Sequence, residues 1–73
     1  MTEQNSVLSK QEGGSHYKEF AIEPVIYIHA NGLDFFEGNV IKYITRWRRK
    51  NGVLDLEKAK HYIELLIELE SGK

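Results

Sequence analysis

Two Asn-Gly pairs, Asn31-Gly32 and Asn51-Gly52, cut this chain into pieces that each suit one helix. Both residue types tolerate the left-handed backbone in which helices end, so such a pair acts as a stop. Ahead of the first stop, "IEPVIYIHANG" places Pro24 where a first helical turn accepts a residue without an N–H, followed by Val25, Ile26 and Ile28. A short helix of two to three turns is expected there. Between the stops, Asp34 precedes Glu37 by three residues, a capping-box spacing with Asp in the Ser/Thr role, and the second helix should run on to Lys50. A third helix is expected from about Asp55 to Glu70. The polar residues 1–14 lack aromatic side chains and any apolar period, and read as a flexible arm. The expected architecture is therefore all-α, a small three-helix domain over residues 15–73 behind that arm.

A chain of 73 residues without cysteine has room for one domain and no disulfide or thiolate metal site to brace it. Oligomerisation is the usual remaining remedy. The third segment points the same way: Leu56, Ala59, Ile63, Leu66 and Ile67 form an apolar face that Tyr62, Leu65 and Leu69 widen beyond what two small helices would cover. A homo-oligomer with this helix in the interface is expected. His16, His29 and His61 lack metal-ligand spacing, so no metal is expected. The N-terminus carries no apolar signal core and no run approaches a membrane span, so a cytoplasmic location and no membrane partner are expected.

The formal net charge of -1 excludes coating of nucleic acid by bulk electrostatics. Its distribution is uneven, since five of the ten Lys and Arg residues fall between Lys42 and Lys50. Arg48, Arg49 and Lys50, in a last turn, offset the negative end of the helix dipole. Mid-helix, Lys42 and Arg46 are not explained that way. With Asn39 and Arg49 they line a stripe that could grip a phosphate, or could be a solvated face. Gly38 costs about 1 kcal/mol against Ala inside a helix, a cost tolerated where a ligand or another helix approaches closely. In "GGSHYK" the glycines, His16 and Tyr17 could strap over a phosphate and a base, or simply form a hinge; the spacing is not that of a P-loop. Tyr43 and Trp47 read first as core or interface. No nucleophile-base set is visible, and Glu37 beside Lys42 is the best acid/base pairing although Glu37 serves equally as a cap.

Taken in order, "HYK", "IEPVIYI", "NGLDFFEGNVIKYITRWRRKNG" and "DLEKAKHYI" resemble the SaV-like family of small bacteriophage proteins. The resemblance covers His16 to Glu68 and leaves out only the arm. It implies an oligomeric phage protein acting on nucleotides in the cytoplasm of the infected host, since the family is ascribed nucleotide kinase activity after its similarity to the longer bacteriophage T7 early nucleotide kinase. The matching positions are His16, Tyr17, Glu23, Gly38, Asn39, Lys42, Tyr43, Arg46, Lys50, Lys58 and Lys60. On this resemblance the ligand-binding set is His16, Tyr17, Asn39, Lys42, Tyr43, Arg46 and Lys50, with phosphate contacts from Lys42, Arg46 and Lys50 and base or sugar contacts from Tyr17 and Asn39. Two functions are weighed: because catalytic groups are few, a protein that sequesters a nucleotide-type ligand, such as a host antiphage immune signal, or, as the family is ascribed, a nucleoside monophosphate kinase without a P-loop. Only the second requires magnesium, and in it Glu37 is the catalytic candidate.

Overall fold

The computed structural model describes residues 20–72, which form three helices and, among the described residues, no strand. Helix α1 spans Pro24–Ala30, α2 spans Phe35–Arg46 and α3 spans Val53–Ser71. The all-α, three-helix expectation holds for these residues. None of these helices is long and apolar enough to cross a membrane.

Pro24 opens α1 behind an extended Glu23, where its missing N–H leaves no intrahelical bond unmade. The stop is a two-bond reversal. Gly32 takes φ 62°, its N–H donates to the His29 carbonyl at 3.1 Å, and the Leu33 N–H donates to the Ile28 carbonyl at 3.0 Å. That pattern folds Leu33 back toward Ile28. The next residue caps α2: Asp34 Oδ1 accepts the Glu37 N–H at 2.8 Å, and Glu37 Oε1 accepts the Asp34 N–H at 3.0 Å. Both halves of the expected capping box are present.

Regular α geometry ends at Arg46, short of the expected Lys50, and Trp47–Arg49 tighten into a 3-10 turn. The cause lies in the next stop. Gly52, at φ 59°, turns back so that its N–H donates to the Trp47 carbonyl at 2.9 Å, and the chain must wind tighter to meet it. Helix α3 then begins at Val53, two residues before the expected Asp55, with no side-chain cap at Gly52.

Helices α2 and α3 form a hairpin whose seam is aromatic. The Tyr62 ring lies 6.0 Å from Tyr43 in a near-parallel stack, 5.8 Å from Phe35 edge-on and 6.4 Å from Phe36. The buried line of α3 is Asp55 and Ala59, continued by half-buried Tyr62 and Leu66. Ile63 and Ile67, assigned to the main apolar face, are 45% and 59% exposed, because the seam runs along the flank that carries Tyr62. Ile44 of α2, which helical spacing groups with Phe36, Val40, Tyr43 and Trp47 on one apolar face, is likewise exposed. Among the described residues the buried apolar side chains are Ala59 of α3 and Pro24 at the start of α1.

Candidate functional site

Gly38 is where α1 meets α2. A Cβ built on Gly38 would lie 3.2 Å from Ile28 Cγ2, closer than ordinary van der Waals contact, so the glycine lets the two backbones approach. This supplies the packing reason for Gly38 that its sequence position left open. The same crossing opens a cleft of about 470 Å³ along its edge. Pocket volumes of a few hundred Å³ suit a small organic ligand.

Three kinds of surface line this cleft. Val25, Ile28, Leu33 and Phe35 form an apolar wall, built by the reversal that folds Leu33 onto Ile28. Glu23 and Asp34 stand at the helix starts, and Asn39 and Lys42 follow along α2 beyond Gly38. Asn39 is partly committed, since its Nδ2 donates to the Phe35 carbonyl at 2.8 Å. Asp34 already accepts the α2 cap bond. Lys42 is half-buried and sits with Nζ 4.5 Å from the centre of the Tyr43 ring. The residues from Asp34 to Lys42 span about 12 Å of helix axis.

Arg46 is held elsewhere. Its Nε donates to Asp55 Oδ2 at 3.1 Å and its Nη2 to Asp55 Oδ1 at 3.3 Å, the two-pronged arrangement that a guanidinium makes with a carboxylate. Asp55 is fully buried. Its oxygens also accept the Asn51 backbone N–H and the Asn51 side-chain amide, each at 3.3 Å, so one carboxylate ties the end of α2, the Asn51-Gly52 turn and the first turn of α3 together. Burial by itself would raise the Asp55 pKa. The hydrogen bonds from Arg46 and from the side chain and backbone of Asn51, with the Arg46 charge, outweigh it and hold the carboxyl below its ordinary value.

Of the site residues named from sequence, the structure brings Asn39 and Lys42 to the cleft beside Gly38, with Tyr43 against Lys42. Arg46 lies next to Tyr43, with its guanidinium 4.8 Å from the ring centre, but joined to Asp55. Lys50 is exposed in the turn after the 3-10 segment and does not line the cleft. Glu37, the catalytic candidate, has its carboxylate in the capping box. His16 and Tyr17 lie outside the described residues. Sequence reasoning missed the apolar wall and the anchor Asp55. The wall had a faint signal in the C-terminal stop of α1, which brings Ile28 and Leu33 together; Asp55 had one in its position four residues after Asn51.

A family model described as a protein of unknown function, DUF3310, matches residues 11–64, and the chain belongs to that family. The matched segment contains α1, α2, the Arg46–Asp55 pair and every residue of the cleft. No curated protein and no solved structure gives a significant match.

Proposed function

We propose that this member of the family is a phage protein that binds a nucleotide-type ligand in the α1/α2 cleft and holds it without converting it, as a sink for a nucleotide signal of host antiphage defence. The observation that carries the binding reading is the cleft's graded lining: carboxylates at the helix starts, an apolar wall with Phe35 exposed at 67%, then Asn39 and Lys42. A nucleotide has the same gradation. Its base and ribose offer N–H and O–H donors to carboxylates, its base a flat face to an aromatic ring, and its phosphate a charge to lysine. The phage context comes from the resemblance to the SaV-like family, and the sequestering role from the thin catalytic machinery of the chain.

Titration calorimetry with mononucleotides, cyclic nucleotides and ADP-ribose-type nucleotides tests the reading, with Phe35→Ala and Lys42→Ala as variants. Micromolar binding weakened by both substitutions is expected. Heats indistinguishable from dilution across the panel would sink it. In the alternative reading, a nucleoside monophosphate kinase, Glu37 supplies the acid/base group; its carboxylate oxygen already accepts the Asp34 N–H, which is why holding is preferred to turnover. Incubation with a nucleoside triphosphate, magnesium and deoxynucleoside monophosphates distinguishes the two, because only the kinase yields diphosphates.

The working form in this reading is an oligomer paired through α3. Lys60, Ile63, Ile67 and Glu70 are all exposed and recur at spacings of three, four and three residues, one stripe of a helix. Two antiparallel copies centred near Leu65 set Ile63 of one against Ile67 of the other, and Lys60 against Glu70. Both the apolar and the charged positions are then complementary.

A further inference from the structure

The Tyr43 ring is surrounded by cations. Lys42 Nζ lies 4.5 Å from its centre, Arg46 Cζ 4.8 Å and Lys58 Nζ 5.4 Å. Helix geometry explains the gathering: Lys42 adjoins Tyr43 on α2, Arg46 follows one turn later, and Lys58 stands one turn before Tyr62, the ring stacked on Tyr43 across the seam. The three are not equivalent. Asp55 neutralises Arg46. Lys42 and Lys58 are half-buried, and neither makes an ion pair with a described carboxylate. Lysines usually keep their heads in water, and two that crowd one ring without an anion are unusual. Each ammonium has three donors, and the ring face accepts from one direction only, so both have donors left for an acceptor between or beside them.

We infer that Lys42 and Lys58 form a two-cation clamp for a phosphate-type dianion, either a terminal phosphate or a pyrophosphate group, with the Tyr43 ring as its floor. The inference rests on the cleft reading above and deepens it: Lys42 borders both places, so a ligand whose base lies along the apolar wall sends its phosphates past Lys42 toward Lys58 on the neighbouring helix. Arg46 acts differently, as a positioning residue that fixes the start of α3 and with it Lys58.

The test is binding of inorganic pyrophosphate to the full chain, followed by calorimetry and by the chemical shifts of the Tyr43 and Tyr62 ring protons. Lys42→Gln and Lys58→Gln should each weaken binding about tenfold or more, while Arg48→Gln, which removes an exposed charge beside Trp47, should leave it unchanged. Lys58→Met, which keeps the aliphatic stem, replaces the Gln variant if circular dichroism shows lost helix. Wild-type affinity in the Lys58 variant, equal weakening by Arg48→Gln, or unmoved ring signals at millimolar pyrophosphate would overturn the clamp. A parallel titration with a nucleoside monophosphate separates the two ideas. Nucleotide binding that needs Phe35 and Lys42 but not Lys58 removes the clamp and keeps the cleft reading. Pyrophosphate binding through both lysines that gains nothing from an attached nucleoside keeps the clamp and removes the cleft reading.

Discussion

Asp55→Ala should nearly unfold this protein at moderate temperature, and the size of the effect can be worked from four contacts. Deleting the carboxylate strips partners from Arg46 Nε and Nη2 and from two donors of Asn51. Removing one member of a buried ion pair costs about 3–5 kcal/mol. The Arg46 side chain retains 12% exposure, so water reaches part of the guanidinium and the low end applies, about 3 kcal/mol. For a domain of this size that lowers Tm by roughly 12–24 °C. Asp55→Asn should cost less, about 2 kcal/mol, because the amide oxygen still accepts a bond while its NH2 faces donors. Urea unfolding followed by far-ultraviolet circular dichroism measures this, at one fixed protein concentration since association adds to apparent stability. A loss under about 1 kcal/mol for Asp55→Ala, with unchanged m-value, would refute the idea that this carboxylate joins α2 to α3. The pH dependence gives a second reading of the same group. Its pKa is lowered on folding, so its stabilisation is fully present above the unfolded-state value of about 3.9 and fades as the pH falls through the lower folded-state value. The acid limb of the stability curve should therefore be shallower in Asp55→Asn than in the wild type.

Three other outcomes follow from the geometry. Asp34→Ala should destabilise by about 1 kcal/mol by the same unfolding assay, and Glu37→Ala added to it should cost less than its single effect, because the two caps are reciprocal. Gly38→Leu drives a side chain into Ile28, and the overpacking of roughly 1–3 kcal/mol should exceed the gain of about 1 kcal/mol in helix propensity; ligand affinity in the cleft should fall with it in calorimetry. For the α3 pairing, Lys60→Glu and Glu70→Lys should each shift the protein toward monomer in light scattering, and the double variant should restore the oligomer, an outcome that a parallel arrangement would not give.

Several of these features were legible in the sequence because they depend on residues within a turn of one another. Glu37 stands one turn from Asp34, so the capping box could be read from their spacing. Gly38 showed as a helix residue that needed an outside reason, though not which reason. The stripe from Lys42 to Arg49 was visible, but whether each cation faced a ligand, a carboxylate or water depended on α3, which folds against it from beyond the Asn51-Gly52 turn.

What the sequence determined by itself, for the described residues, is the presence of three helices, the Asn-Gly turns between them and the capping box of α2, because these come from short-range sterics and hydrogen bonds: Pro24 at a first turn, glycines at positive φ, a carboxylate three residues from a backbone N–H. Only the tertiary structure decided which flank of α3 meets α2. Leu56, Ile63, Leu65, Leu66, Ile67 and Leu69 ring so much of that helix that periodicity leaves several faces equally apolar, and the choice fell to the stack of Tyr62 on Tyr43 and the burial of Asp55 against Arg46. That choice exposed Ile63 and Ile67, turned Arg46 into an anchor and brought Lys58 to the Tyr43 ring that Lys42 also meets. Contacts between residues so distant along the chain are set by how the helices pack, which no local pattern specifies.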